Sequence, residues 1–244
     1  MGVEFAAEMK TVHPSKTVIL VHSHSNLLTN EPLPEDFKAK ALELLVKSGV
    51  EVCMSRRVMA EEPLVHADGT GLTKLVLDNG DSLVADDVMW AVGRTQPNTD
   101  FLPQESVVDN GLVKIRSTMS FPVNIPNADH HFAVGDLVHW PGIKRVGSAL
   151  VMGRYAATNI LRRMAGKEDA ELEHFPEVPG MLVLAVGKEA VAYSPAGGLK
   201  WGVDTLQGSF EGDLGLRSKL SKTSDFYARV LTGDSLLELH WAGS

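Results

Sequence analysis

Apolar positions along this chain fall into short continuous runs and helix-spaced stripes separated by polar turns. Their order predicts a mixed α/β protein. Residues 2–8, Gly2-Val3-Glu4-Phe5-Ala6-Ala7-Glu8, form an apolar helical segment with no strand before it. A helix of about eight residues is marginal by itself in water, so this segment needs a cover from the rest of the chain or from a partner. Thr17-Val18-Ile19-Leu20-Val21 is a continuous apolar run, the pattern of a parallel strand with both faces buried, and His22-Ser23-His24-Ser25-Asn26 reads as the loop at its carboxyl end. Phe37, Ala41, Leu44, Leu45 and Ser48 then mark one face of a helix with Glu35 and Asp36 in its first turn and Gly49 as its stop. Val50–Met54 is the next strand, and strand–helix–strand in this order is a right-handed parallel crossover.

Further along, Leu72–Leu77 and Ser82–Val84 flank Asp78-Asn79-Gly80-Asp81, a hairpin turn in which Asn and Gly accept positive φ. Asp87–Val92 and His131–Val134 have strand patterns, and Leu112–Ile115 is short and β-like. Residues 148–164 carry apolar positions at 150, 153, 157, 160, 161 and 164, which predicts a helix ended by Gly166. Ala165–Glu173 reads as a charged linker, and Met181–Val186 and Glu189–Ser194 as strands of a small C-terminal domain or flap.

At 244 residues the chain has room for one large domain or two small ones. With 44% hydrophobic and 22% charged residues, global disorder is excluded. A balance of 23 basic against 31 acidic side chains argues against nucleic acid as the main partner, because phosphate binding needs clustered cations. No apolar run approaches the roughly 20 residues of a membrane helix, and no targeting signal is visible. The single Cys53 forms no internal disulfide, which fits a reducing compartment, cytoplasmic or mitochondrion-associated. Cys53 sits in an apolar strand and reads as an inert thiol. His22 and His24 lack a third ligand at zinc-like spacing, so no metal site is expected. Serine-hydrolase and P-loop phosphate signatures are missing.

Three segments in order carry a resemblance. They are Gly2–Glu8, then Ala91-Val92-Gly93-Arg94 with Pro97-Asn98-Thr99, then Phe132-Ala133-Val134-Gly135-Asp136. Together they resemble the pyridine-nucleotide flavin oxidoreductases, more narrowly the apoptosis-inducing factor family and its ferroptosis-suppressor (AMID-like) quinone reductases. The tract from Val183 through Gly215 is similar to the family's C-terminal domain. The resemblance implies an α/β fold, an incomplete Rossmann-like flavoprotein with two dinucleotide-binding domains and a small α+β C-terminal domain. It places the NAD(P)H-binding domain at 1–100 with its first strand missing, the C-terminal half of the FAD-binding domain at 101–166, and the C-terminal domain at 167–244.

By the same resemblance the chain is a flavin-dependent enzyme that passes hydride from NAD(P)H through FAD to a quinone-like or other small-molecule acceptor. Gly2 stands at the last glycine of the nicotinamide-dinucleotide turn, where backbone donors at a helix start meet pyrophosphate. Glu4 lies where the nicotinamide is positioned. His22 and Ser23 occupy the place that reads the ribose 2′ position, and with neither an acid nor an arginine there the choice between NADH and NADPH stays open. Gly93 marks the exit from the nicotinamide domain, and Gly135-Asp136 holds the ribityl–phosphate region of FAD. The family's first flavin-binding unit has no counterpart here, so two alternatives stand beside the enzyme. One is a truncated, cofactor-less accessory or binding protein. The other is a second chain or homo-oligomer that covers the incomplete sheet, which predicts an exposed apolar edge near Thr17–Val21. Gly2 also reads as an ordinary residue after an initiator Met, Glu4 and Glu8 as a solvated face, and Trp140, Trp201 and Trp241 as packing residues.

Overall fold

The computed structural model describes residues 1–210 except 30, 66, 67, 70, 94, 95, 178 and 179. The chain forms two compact units, Met1–Arg94 with Gly180–Glu211, and a second one beginning with Thr95–Pro179. In the first unit, helix α1 (Gly2–Val12) buries Val3 and Ala7, one helical turn apart. Its end is tied down by Lys10, whose Nζ donates to the carbonyls of Pro14 at 3.0 Å and Lys16 at 2.6 Å. Strand β1 (Ile19–His22) leads to helix α2 (Glu35–Lys47), which buries Phe37, Ala41, Leu44 and Leu45 as its spacing predicts. Gly49 follows with φ +92°, the left-handed geometry that lets the chain turn back. Strand β2 (Glu51–Met54) then pairs parallel with β1, Ile19 opposite Glu51 and His22 opposite Met54.

β1 is less buried than its apolar run predicts: Ile19 is exposed and the other three residues are half-buried. The reason is topological, since among the described residues β1 has β2 as its one ladder partner. Cys53 is half-buried on β2. Three antiparallel strands follow, β3 (Val58–Val65), β4 (Gly71–Leu77) and β5 (Ser82–Ala85), in that order. The β4–β5 turn is the hairpin read from the sequence, with Gly80 at φ +87° and the Asp81 amide donating to Asn79 Oδ1 at 3.1 Å. Among the described residues the strand expected over Asp87–Val92 forms no ladder. Val88 is half-buried, Met89 through Val92 are exposed, and apolar composition cannot make a strand without a partner edge.

The second unit is built on β6 (Val113–Lys114), β7 (Val138–His139) and helix α3 (Val146–Met164), with three 3₁₀ turns between the first strand and the helix or before it. Met119, Val138, Met152, Ala156 and Phe175 form one core, and Val113, Phe121, Ile125 and Ala128 a second. Trp140 packs on Phe175 at 6.0 Å between ring centroids, as a packing residue should, and Tyr155 meets the same ring edge-on at 5.3 Å. His131–Val134 is not a ladder strand: Phe132 makes an isolated bridge to Ser120 and the chain then turns.

α3 corrects the sequence reading of its stripe. Leu150, Ile160, Leu161 and Met164 are exposed, while Met152, Ala156, Thr158 and Asn159 are buried. A buried asparagine hides the true face from any hydrophobicity count, and Asn159 is fully hydrogen-bonded. Its Nδ2 donates to the carbonyls of Thr118 (2.9 Å) and Glu173 (2.8 Å), and its Oδ1 accepts from the Glu173 amide at 2.7 Å. Ala165–Glu173 is therefore no free linker. Glu173 is stapled to α3, Leu172 and Phe175 are buried, and the Phe175 amide donates to Ser117 at 2.7 Å.

Charges clamp the same segment. Arg116 contacts Asp129 at 3.1 Å and Asp169 at 2.7 Å, and Arg163 contacts Asp129 at 2.9 Å and also pairs with Asp169. The hydrogen bond from Arg163, with the neighbouring positive charges, holds the Asp129 carboxyl below its ordinary 3.8. A carboxyl lowered in the folded state adds stability above its unfolded value and loses it as pH falls through the folded one. Asp129→Asn is thus expected to lower the urea midpoint modestly at pH 7, on the scale of an exposed ion pair, under about 1 kcal/mol. The difference from wild type should shrink as pH falls below 3.8, as a urea titration series would read.

The chain then adds β8 (Leu182–Val186), β9 (Glu189–Ser194), β10 (Gly198–Gly202) and helix α4 (Val203–Phe210) to the first unit. β8 packs on α1 and α2, and β9 on α2, burying Leu184, Val186, Ala190 and Val191. This meander supplies the cover that the buried face of α1 needs. Lys47 and Glu189 pair across it at 2.6 Å. Trp201 is half exposed, with Lys40 4.5 Å above its ring. Trp241 and residues 211–215 lie outside the described residues.

Candidate functional site

Two corners gather the residues that the sequence marks, one in each unit. In the second unit, the Ala133 amide donates to Met119 at 3.1 Å and the Phe121 amide to His131 at 3.0 Å, which hold the incoming segment. Val134 is extended, and Gly135 turns with φ +79°, a conformation that costs a residue bearing Cβ about 1–2 kcal/mol. Gly135 sits on the first turn of α3, where an added Cβ would lie 3.6 Å from Ala149 Cβ. Asp136 follows with an exposed side chain. α3 starts with no side-chain cap and no acid in its first turn, so its leading amides carry no internal partner.

Lys144 closes this corner. Its Nζ donates to the Asp136 carbonyl at 2.9 Å. Burial pulls the Lys144 ammonium below its usual 10.5, opposed by the charge of Asp136. The sequence carries a faint signal for Lys144, a cation eight residues beyond the Gly-Asp pair and just before a helix, which pattern reading passes over. The corner therefore joins a tight positive-φ turn, a carboxylate, a cation and uncapped amides. That set suits a polyhydroxyl chain ending in phosphate: the carboxylate accepts from hydroxyls, and amides and ammonium meet the anion. The residues present fit the flavin's ribityl–phosphate region.

In the first unit, Gly2 is the first residue of α1, which has no side-chain cap. A Cβ on Gly2 would come 3.1 Å from Ala91 Cβ and 4.0 Å from Leu20 Cδ1. Three pieces far apart in sequence, the start of α1, β1 and the segment that runs to Gly93, thus meet at one helix end. Glu4 is ion-paired with the Met1 amine at 3.2 Å. At the end of β1, His22 Nε2 hydrogen-bonds the Asn26 carbonyl at 2.9 Å, and Asn26 Nδ2 donates to Glu35 at 2.7 Å, which fastens the loop to α2. Ser23 is half-buried and Gly93 exposed. Arg94 lies outside the described residues. This corner fits a dinucleotide phosphate through α1's amides, while Glu4 adds a negative charge to the same turn. Among the described residues no group of three or more His, Cys, Asp or Glu side chains is placed to hold a metal ion, and no helix is long and apolar enough to cross a membrane.

A parallel β1–α2–β2 crossover with helices packed on small sheets is a mixed α/β fold of the Rossmann-like type. The family model for pyridine nucleotide-disulphide oxidoreductases matches residues 1–153, and the chain belongs to this family. Oxidoreductase OXR1 of Ajellomyces capsulatus is 37% identical over 219 residues, which is 88% of this chain and 47% of that protein. Ferroptosis suppressor protein 1 of Mus musculus is 27% identical over 165 residues, 67% of this chain and 43% of that one. Among solved structures, an FAD-dependent pyridine nucleotide-disulphide oxidoreductase from Desulfovibrio vulgaris superposes with a TM-score of 0.58 at 18% identity, covering 78% of this chain and 45% of its own. The fold read from the sequence and its resemblance to the ferroptosis-suppressor group are borne out. The chain spans about half the length of the curated relatives it matches.

Proposed function

We propose that this chain belongs to a flavin-linked NAD(P)H oxidoreductase that delivers reducing equivalents to a small-molecule acceptor of quinone type. The observation that carries the reading is the Gly135–Asp136 turn, seated on the uncapped start of α3 with Lys144 bonded across it. A relative named as an FAD-dependent oxidoreductase, from Flammulina velutipes, supports the same reading. FAD, when bound, supplies the hydride-accepting chemistry. Asp136 accepts hydrogen bonds from the ribityl hydroxyls, and the α3 amides with Lys144 balance the phosphate charge. In the first unit Gly2 opens α1's amides to the NAD(P)H pyrophosphate, and His22 and Ser23 line the ribose end. Gly93 leaves the backbone uncovered where the segment departs. Glu4 positions the nicotinamide once its carboxylate leaves the Met1 amine. We assign 1–100 to nicotinamide binding, 101–166 to flavin binding and 167–244 to the C-terminal part. The lone Cys53 is in keeping with a reducing compartment.

The visible absorption spectrum of the purified chain, followed by anaerobic NAD(P)H titration, tests this. A flavin spectrum bleached by NADH or NADPH is the expected result. A folded, monodisperse chain that stays colourless with added FAD would overturn it and favour an accessory role without cofactor.

A further inference from the structure

The ends of β1 and β2 are pinned together by their backbones. The Arg56 amide donates to the His22 carbonyl at 3.0 Å and the Ser55 amide to the His24 carbonyl at 3.1 Å, just beyond the last ladder pair, His22 with Met54. Ser55 makes the bend with φ +54°, a left-handed conformation uncommon for a residue bearing Cβ. These bonds bring Arg56 to the turn His22-Ser23-His24, with Arg57 next in the chain, although the whole of α2 separates them in sequence.

The turn so formed is cationic in a chain that is acidic overall, with 23 basic against 31 acidic side chains. Residues 22–26 and 54–57 include two histidines, two arginines and no acid. Glu51, the acid of β2, lies at the far end of the ladder, about 10 Å away. Glu35, which Asn26 holds at 2.7 Å, is balanced by Lys38 at 2.8 Å. Arg56 is half-buried, and its Nη1 donates to the Ser55 carbonyl at 2.7 Å, which lays the guanidinium along the bend. Among the described residues no carboxylate pairs with it. The His22 and His24 ring centroids are 5.7 Å apart. Because His22 Nε2 donates to the Asn26 carbonyl, its Nδ1 is the nitrogen left to meet a ligand.

We propose that this turn reads a phosphate on the ribose 2′ position, with Arg56 as the selecting residue, so that the reduced dinucleotide taken by this chain is NADPH rather than NADH. The inference rests on the nicotinamide reading proposed above and adds which of the two nucleotides is used. A free 2′-hydroxyl is held best by a carboxylate, which accepts from it, whereas a guanidinium has donors only. A 2′-phosphate reverses the demand: it brings about two negative charges and three acceptor oxygens, which a guanidinium meets through two parallel N–H bonds. The imidazoles, once protonated, and the Ser23 hydroxyl add donors at the same place. The backbone bonds of residues 55 and 56 fix where the guanidinium starts, so part of its ordering is complete before the nucleotide arrives.

Calorimetric titration of the whole chain with NADP⁺ and with NAD⁺ tests it, since the two differ only in the 2′-phosphate. NADP⁺ should bind about tenfold or more tighter than NAD⁺. Arg56→Ala should weaken NADP⁺ about tenfold or more and leave NAD⁺ within about twofold. Arg56→Lys, which keeps the charge without the planar fork, should recover part of the loss. Equal binding of both nucleotides by wild type would overturn the proposal and leave the nicotinamide reading in place. An Arg56→Ala variant that loses both nucleotides equally would overturn it too, because Arg56 would then serve the fold or the part the two share. Binding of neither nucleotide would overturn both readings together.

Discussion

Asn159→Leu should unfold the second unit at a markedly lower temperature than wild type. The substitution keeps the branching at Cγ and looks favourable on an apolar helix, yet it leaves the Thr118 and Glu173 carbonyls and the Glu173 amide without partners. Each buried backbone group so stranded costs about 1–3 kcal/mol, and the three are coupled, so a total near 3 kcal/mol is expected. For a chain of this size that is a fall of about 6–12 °C in the unfolding midpoint. Differential scanning calorimetry reads it directly. Asn159→Asp keeps the shape and the acceptor oxygen but removes both donors, and should fall in the same direction. If the leucine variant melted with wild type, Asn159 would not be what staples the Glu173 segment to α3.

Asp136→Ala is the second large effect. A hydrogen bond to a charged group is worth about 1.5–3 kcal/mol, which corresponds to roughly 10- to 150-fold in affinity. FAD binding followed by flavin fluorescence should weaken by that factor. The Asp136 side chain is exposed, so the unfolding midpoint of the cofactor-free chain should stay close to wild type. The pairing of these two readouts is what matters: loss of flavin affinity without loss of stability assigns Asp136 to the ligand. A variant that binds FAD as tightly as wild type would remove Asp136 from the site.

The two variants also mark where pattern reading works and where it stops. The turn at Gly135 is legible because a strand-like segment runs into a glycine, and the positive φ that the turn needs is a local property of that residue. The same holds for α2, whose buried residues are set by a 3.6-residue period, and for the Asn79-Gly80 hairpin, whose φ values are a property of the residues themselves. Asn159 is illegible for the opposite reason. Its burial depends on carbonyls 41 and 14 residues away, and no count of apolar positions along α3 contains them.

Local composition in this way determined the α/β character, the crossover from β1 through α2 to β2, and the glycine turns at Gly49 and Gly80. Tertiary structure decided which apolar segments became strands. Ile19–His22 and Val88–Val92 have the same kind of apolar run, but among the described residues only the first pairs with a neighbouring backbone. It also decided that Leu182–Val191 lies over α1 and α2, and that Lys144 reaches the Asp136 carbonyl. A residue's conformational preference is carried by its own atoms, whereas a ladder, a staple or a charge contact exists only when two distant parts of the chain meet.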